Sequence, residues 1–414
     1  MSTAPDFDVI IIGGGLAGLA CGIALSGAHL SIPLKTLIVD AGPPLETRDL
    51  ERDSRGTAIT RSSRVMLEAI GVWDKLAAQT QSFNSIVVTD SRDNDRKRPA
   101  LLNFLSTLDG TGPSAWMVEN PVLMQAIIAS VQTTPNLTVV TDTTVDEYQF
   151  TSAQAKITTS SGKQFSAPLI IAADGRSSRA RLRAGIEVVN WDYGQSGIAL
   201  TVAHEKPHNG CAEEHFREAG PFAILPLPGN RSSIVWTEKT RDAEQLMALS
   251  QSGFLSELKT RFGDHLGEVE LASAYASWPL KLQIAKSFSA QRLALVGDAA
   301  HIIHPIAGLG FNLGLRDIAA LTQCIIEQVH LGLDHGGPVS LANYEKWRRA
   351  DTIMVAAACD GLNRLFSNAS LPTTALRQAG LKLVDQIPPL KGFFMDAASG
   401  LAGEQPKLMK GEAV

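Results

Sequence analysis

Several things are scarce in this chain of 414 residues. Only four cysteines occur, Cys21, Cys211, Cys324 and Cys359, far apart. No two have the spacing of a metal site or a redox pair, so each reads as a small buried apolar residue. A reducing, cytoplasmic compartment fits that usage. Basic charge is not in excess: 37 Lys and Arg against 42 Asp and Glu leave a net −5 at pH 7, which argues against nucleic acid as a partner. No stretch reaches the roughly 18 uninterrupted apolar residues of a membrane span. Val9 to Leu25 imitates a signal-peptide core, but residues 1–8 carry Asp6 and Asp8 and no Lys or Arg, so the positive flank is missing. Glycines 13, 14, 15, 18 and 22 also break the run. The reading is a soluble chain, at most peripheral to a membrane. Repeats, low-complexity tracts, a metal cluster and a catalytic triad are all missing. Hydrophobic residues make up 44%, ample for a core, and the length implies two domains.

The first motif lies at a strand-to-helix junction. Asp8-Val9-Ile10-Ile11-Ile12 reads as a central parallel strand, apolar and β-branched. Gly13-Gly14-Gly15-Leu16-Ala17-Gly18 follows, in the GxGxxG pattern. Gly13 permits the tight turn, Gly15 lets a pyrophosphate approach the backbone, and Gly18 lets the helix pack on the strand. The helix N-terminus then offers N–H groups and partial positive charge to phosphates. A second strand, Thr36 to Val39, ends in Asp40, 22 residues after Gly18, where an acid holds ribose hydroxyls. The alternative is an ordinary glycine turn, but strand, helix and acid together favour a dinucleotide site. This motif alone does not separate NAD from FAD.

Two later segments bear on that choice. Leu169-Ile170-Ile171-Ala172-Ala173 is a further buried strand, running into Asp174-Gly175-Arg176-Ser177-Ser178-Arg179; an acid and a glycine there also make a plain turn. Near the end, a strand finishes at Gly297-Asp298-Ala299-Ala300-His301. His304-Pro305 and a loop with Gly308 and Gly310 follow, and a helix starts near Gly310, with Asn312 in its first turn. That helix start would aim positive charge at a ligand. Gly-Asp-Ala-Ala-His, then His-Pro and a glycine-rich loop, resembles the flavin-ribityl motif of the class A FAD-dependent monooxygenases, which share the p-hydroxybenzoate hydroxylase fold. Asp174-Gly175 resembles their Asp-Gly motif. Within that class the chain most resembles the ubiquinone-biosynthesis hydroxylase family, over nearly its whole length. The matching stretches include Asp53-Ser54-Arg55-Gly56-Thr57-Ala58, Val118-Glu119-Asn120, Trp191-Asp192-Tyr193-Gly194-Gln195, Gly220 to Pro226, Tyr344 to Arg349 and Gly361 to Ser367.

The resemblance implies an α/β fold: a Rossmann-like FAD-binding domain interleaved with a β-sheet substrate domain, plus C-terminal helices. The FAD-binding domain is expected from 1–83, 117–187 and 288–340, the substrate domain from 84–116 and 188–287, and the helical region over 341–414. Gly13, Gly15, Gly18 and Asp40 would hold the ADP half of FAD. Arg55 would contact the phosphate or ribityl region, and Asp298 would bond the ribityl chain. Pro305, Gly308, Gly310 and Asn312 would lie beside the isoalloxazine ring, with backbone N–H groups serving its pyrimidine edge. Asp174 would serve the cofactor through its turn or only shape that turn. The chain departs from the family at Leu309, where Gln is usual, at Pro121 for an Arg, at Met124 for a Gln, and at Trp278 for the Tyr of Tyr-Pro-Leu.

Most of the chemistry would belong to the cofactor. Oxygen reacts at C4a of reduced flavin, and the resulting hydroperoxide delivers an oxygen atom to an electron-rich ring. Pro305, Gly308 and Gly310 form the flavin-facing catalytic loop, with no side-chain base assigned. His301 and His304 are candidate bases, but histidines closing a loop are the plainer reading. No second GxGxxG exists, so the reductant is NAD(P)H or another electron donor. Gly197 to His204, Pro221 to Pro226 and Ser232 to Thr237 read as strands, with a turn at Pro228-Gly229-Asn230-Arg231. Phe222, Trp236 and Trp278 either line a pocket or are plain core. Residues 341–380 read as helical. The tail, with Pro388-Pro389 and Phe393-Phe394-Met395, reads as a cover, as a contact for a prenylated substrate, or as a packed end. The expected substrates are a polyprenylated phenol of ubiquinone synthesis and molecular oxygen, with a biosynthetic protein assembly and the inner membrane as further partners. The alternatives are a small soluble aromatic substrate, or a prenyl-binding scaffold without turnover.

Overall fold

The computed structural model describes residues 4–90, 100–105, 112–366, 401 and 403–414. Among them, Val9–Ile12 sits at the heart of a six-stranded sheet. Leu169–Ala172 and Thr36–Val39 flank it in parallel, with Ile11 opposite Ile171 and Ile38. Leu137–Val140 extends one side and Leu293–Leu295 the other, both parallel, and Ser289–Ala290 closes the edge antiparallel. Ile10 and Ile11 are wholly buried. Helices cover both faces of such a sheet, so its strands are apolar on both sides. Each buried isoleucine contributes about 1.5–3 kcal/mol over exposure.

The helix Leu16–Ser26 packs against Asn120–Val131 and Gly310–His330. Close approach requires its small residues. A Cβ on Gly18 would stand 1.8 Å from the Gly13 carbonyl oxygen, and one on Gly22 2.8 Å from Ile38 Cδ1.

A second, nine-stranded sheet is built on the 17-residue strand Val188–His204. It pairs antiparallel with Arg231–Lys239 and with Ala276–Ala285. The strand starts nine residues before the hydrophobic pattern suggested. Its first half is mostly exposed and mixes apolar and polar residues without a buried face, so only pairing with Ala276–Ala285, across a bulge between Asp192 and Ser196, reveals it. The sheet's two faces differ. Ile198, Leu200, Val202, Phe222, Ile224, Ile234 and Trp236 pack on Phe254, Leu258 and Phe262 of the helix Gln251–Phe262. The opposite face carries Gly197, Ala199, Ala223 and Leu225, by alternation, and turns toward the antiparallel strands Gly56–Thr60 and Ala115–Glu119 of a separate three-stranded sheet. Arg231 there pairs with Glu119 at 2.7 Å, and a Cβ on Gly56 would meet Ser233 Oγ at 3.0 Å. Phe222 and Trp236 are therefore core, while Trp278 lies on the opposite side, beneath Arg55.

The helix Pro338–Phe366 covers the strand Leu293–Leu295, and the Tyr344 hydroxyl donates to the Leu295 carbonyl at 2.5 Å. The rest of the 341–380 expectation, and the Pro388-Pro389 and Phe393-Phe394-Met395 segments, lie outside the described residues. Three of the four cysteines are buried, and burial pushes their thiols up.

One buried carboxylate ties these parts together. Asp317, wholly buried on Gly310–His330, accepts the Gly297 N–H at 3.1 Å, His301 Nε2 at 2.6 Å and Arg348 Nε at 2.8 Å. Arg348 also pairs with Asp351, which holds Arg316 at 3.1 Å. Burial by itself would raise the Asp317 carboxyl, but His301 and Arg348 outweigh it and hold it below the usual carboxylate range. A held-down carboxyl adds stability above its unfolded pKa, and that stability is lost as pH falls through the folded value. Asp317→Ala would leave buried His301 without its carboxylate partner and Arg348 with Asp351 alone. Chemical denaturation should show a loss of about 3–5 kcal/mol, shrinking toward acid pH. A loss near zero at neutral pH would mean that the cluster does not hold this region.

Candidate functional site

The glycine loop forms a cradle. Gly13 has φ +105°, and its N–H donates to the Val39 carbonyl at 2.8 Å. A Cβ there would lie 2.4 Å from the Ala173 carbonyl oxygen, so only glycine fits. Gly15 differs: nothing stands within 4 Å of where its Cβ would be. No side chain caps the helix it begins, and the first turn holds no acid. The N-terminal N–H groups and the positive end of the helix dipole are left for an anion.

Asp40 adjoins this cradle. It accepts the Gly14 N–H at 2.6 Å and the Gly42 N–H at 3.0 Å. Arg48, which the sequence reading passed over, donates to Asp40 at 2.5 Å and to the Gly14 carbonyl at 2.5 Å. A carboxylate has about four lone-pair directions, and these three bonds leave room for a ribose hydroxyl.

The trough continues along the loop helix. Gly297 has φ +58°, and a Cβ on it would touch Ala17 at 3.4 Å, so Asp298 stands beside the first helix. Asp298 is exposed on the turn Gly297–Ala299, with no hydrogen bond to a described residue. Its charge reaches Arg55, whose pKa is raised above the usual value, first by its bond to Asp53 and further by Asp298. Arg55 donates to Asp53 at 2.7 and 2.6 Å and lies 5.9 Å over the Trp278 ring. Asn120 holds Asp53 from behind at 3.0 Å, and Thr57 donates to Asn120 at 2.6 Å. Asp53 and Asn120 belong to stretches that carry the family resemblance, but their partnership spans 67 residues and has no local signal.

Farther along, Gly308 has φ +63° and approaches Ala58, 3.3 Å from where its Cβ would be. Its N–H donates to the Pro305 carbonyl at 2.9 Å. Gly310 opens the helix Gly310–His330, again without a side-chain cap and with open space where a Cβ would stand. The Asn312 side chain is fully committed: it accepts the Thr60 N–H at 2.9 Å and donates to the Ala58 carbonyl at 2.7 Å and the Gly308 carbonyl at 3.0 Å. It staples the loop to the strand Gly56–Thr60. Leu309, at the usual glutamine position, packs with Leu282, Ile303 and Leu313.

Two groups sit behind the trough. Asp174 caps the helix Arg179–Arg183 through the N–H groups of Arg179 and Ala180, at 2.8 and 3.2 Å. Its Cα lies 2.9 Å from where a Cβ of Gly13 would be, so its turn supports the glycine loop. His301 is spent on Asp317. His304 is wholly buried, accepts the Ile306 N–H at 3.3 Å and lies edge-on to Tyr193 at 5.1 Å. Burial pushes its pKa down to about 4, against the pull of Asp360, so it is a weak proton acceptor at neutral pH.

Gly13, Gly15, Gly18 and Asp40 therefore gather at one end, Arg55 and Asp298 in the middle, and Pro305, Gly308, Gly310 and Asn312 at the other. An uncapped helix N-terminus, the Asp40 carboxylate beside it and the exposed Asp298 carboxylate, without a hydrogen bond to a described residue, could hold an extended dinucleotide such as FAD. Among the described residues no group of three or more His, Cys, Asp or Glu is placed to hold a metal ion.

Comparison with known proteins agrees. The family model described as FAD binding domain matches residues 6–356. Ubiquinone hydroxylase UbiL of Rhodospirillum rubrum is 42% identical over 98% of this chain and 92% of its own length. The human mitochondrial ubiquinone biosynthesis monooxygenase COQ6 is 30% identical over 96% of this chain and 93% of its own. The solved structure of p-nitrophenol 4-monooxygenase PnpA from Pseudomonas putida DLL-E4 has a TM-score of 0.79 at 15% identity, covering 96% of this chain and 98% of that one; at that identity it speaks for the fold. The chain belongs to the FAD-binding-domain family, in its FAD-dependent monooxygenase branch. Its cofactor is FAD.

The site predicts a coloured protein. Wild type should show flavin absorbance, and Asp298→Ala should bind FAD about ten- to a hundredfold more weakly, the worth of a charge-assisted hydrogen bond. Gly15→Val should lose the flavin with little loss of fold, since the added side chain fills ligand space. Full flavin occupancy in both variants would rule out this trough.

Proposed function

We propose that this protein hydroxylates the aromatic ring of a polyprenylated phenol in ubiquinone biosynthesis. The observation that carries the reading is the succession of contacts that runs from Asp40 and the glycine loop through Asp298 and Arg55 to Gly308 and Ala58, beside the small-residue face of the nine-stranded sheet. The relatives, a ubiquinone hydroxylase and a ubiquinone biosynthesis monooxygenase, suggest the substrate class.

Reduced FAD, when bound, would supply the electrons that activate molecular oxygen, one atom of which the ring receives. The residues supply position and field. Gly13, Gly15 and Gly18 and the first helix take the pyrophosphate, and Asp40 the ribose. Asp298 and Arg55 hold the ribityl chain and phosphate. The Gly310 helix N-terminus favours negative charge beside the loop, and Ile306 and Leu309 shield that loop with apolar surface, which protects a reactive oxygen species from water. Gly197, Ala199 and Ala223 take up little of the space between sheet and loop, leaving it to an aromatic ring. Residues 1–83, 117–187 and 288–340 are assigned to the cofactor unit, 84–116 and 188–287 to the substrate unit, and 341–414 to a cover.

The reductant is assigned as NAD(P)H or a separate redox protein, since one dinucleotide fold is present. No described helix is long and apolar enough to cross a membrane, so access to a prenylated substrate is assigned to peripheral contact with the inner membrane or to a biosynthetic assembly.

Supplied with reductant and labelled oxygen gas, the purified protein should convert a prenylphenol to a product carrying one labelled oxygen atom. The specificity constant should rise with tail length, each buried methylene being worth about 0.8 kcal/mol. Turnover of small aromatic acids but not of prenylphenols would move the assignment to a soluble substrate.

A further inference from the structure

We propose that Glu214 is the general base of the hydroxylation, accepting the proton of the substrate's phenol hydroxyl; the assignment rests on the aromatic-hydroxylase reading above. Glu214 lies on the strand Cys211–Phe216, between Phe222–Leu227 and Ser85–Asp90. Alternation divides that strand's side chains between the two faces. Glu213 and His215 point to the helix-covered face, where Glu213 meets His265 at 2.7 Å and His215 meets Thr89 at 2.6 Å. Ala212, Glu214 and Phe216 point the other way. Ala212 packs with Ala58 and Met117, and Phe216 packs with Ile306. Ala58 touches Gly308 and Asn312, and Ile306 belongs to the Pro305–Gly310 loop. Glu214 therefore stands between the two residues of its strand that reach the flavin-facing loop and the strand beside it.

Its surroundings are unusual for a carboxylate. The cross-strand neighbours on its face are Ala223 and Val88. No described residue forms a hydrogen bond or ion pair with it, whereas Asp40, Asp53, Glu119, Glu238 and Asp317 each hold an arginine. It is half-buried, keeping part of its surface open to solvent. Burial pushes its carboxyl up to about 7. Leu362 of Pro338–Phe366 and Ile306 of the loop also face this region. The ionisable groups on the elements packed here are engaged elsewhere: Arg217 with Glu238 at 2.8 Å, Asp360 with Arg364 at 2.9 Å, and His304 in its buried contacts. A carboxyl near neutrality, without a partner among the described residues and on the face toward the flavin-facing loop, suits a base that must be ionised at working pH and must bind a proton in turn.

The step balances. The phenol O–H bond breaks and a carboxyl O–H bond forms. The electron pair left on oxygen feeds the ring carbon that receives the oxygen atom from the FAD- and oxygen-dependent step. As that carbon then loses its own proton to water, Glu214 returns its proton to the phenol oxygen and is ionised again.

The test uses the flavin-loaded enzyme and two readouts. In the first, 4-nitrophenol is bound at a fixed pH, and the visible absorbance of its phenolate is measured at equal occupancy. Wild type should show a stronger phenolate band than Glu214→Gln. In the second, prenylphenol hydroxylation should rise with pH through about 7 in wild type. Glu214→Gln should lose this limb and roughly a hundredfold or more of the rate, with flavin absorbance and melting temperature kept. Glu214→Asp should recover part of both the rate and the limb. A phenolate band unchanged by the glutamine substitution overturns the proposal, as does a glutamine variant with the wild-type rate and limb. A wild type that binds phenolate through Glu214 but hydroxylates no phenol keeps the proton acceptor and sinks the hydroxylase reading instead.

Discussion

The buried carboxylate of Asp317 is the constraint on which the cofactor trough depends. Removing a carboxylate from water costs several kcal/mol, recovered only by well-placed counter-charges and donors. Asp317 has three: His301, Arg348 and the Gly297 N–H. They come from two distant parts of the chain. Gly297 and His301 bracket the turn that carries Asp298, and Arg348 anchors the covering helix. Because the backbone at Gly297 is drawn inward by its bond to Asp317, the next side chain, Asp298, is turned out into the trough. The charge that would bind the cofactor is thus placed by a charge that never meets it.

The glycines of the first loop separate the demands of the fold from those of the ligand. Added atoms at Gly13 or Gly18 would run into protein backbone, whereas at Gly15 they would meet open space. The fold alone requires the first two. Only an incoming group explains the third, since an alanine there would cost the empty protein nothing sterically. The same contrast recurs at the other end, where Gly308 is held in a left-handed turn against Ala58 and Gly310 faces open space. Such backbone constraints tolerate wide change elsewhere, which fits a TM-score of 0.79 with PnpA at 15% identity.

What the amino-acid pattern disclosed follows from the range of the interactions involved. Val9–Ile12, Thr36–Val39 and Leu169–Ala172 were legible because strands buried on both faces are apolar throughout, and the glycine loop because its turn is local. The start of Gly310–His330 was legible from the glycines before it. Arg48 was not, because its carboxylate and carbonyl partners lie 8 and 34 residues away. The solvated half of Val188–His204 was hidden for a similar reason: its strand character comes from a partner some 90 residues later. Phe222 and Trp236 illustrate a further limit. A period of two shows that they share a face, but not which face meets the cofactor unit and which meets the helices.

That choice of face decides the chemistry of the second sheet. The face toward Gln251–Phe262 is filled with large side chains and is a core. The other bears glycine, alanine and valine at its centre and meets the strand Ala115–Glu119 through the Arg231–Glu119 pair, with Trp278 under Arg55 at one end and Glu214 at the other. A sheet selected only for stability would fill both faces to the same density, since each unfilled methylene forfeits about a kcal/mol. A protein that must admit a ring between sheet and loop has to give up that burial on one face. The Glu214 carboxyl, without a partner among the described residues, carries a cost of the same kind, since burial of such an acid is tolerated where its proton is needed. Small side chains and an isolated acid on the face toward the loop are thus two consequences of one requirement, that the space belong to a substrate.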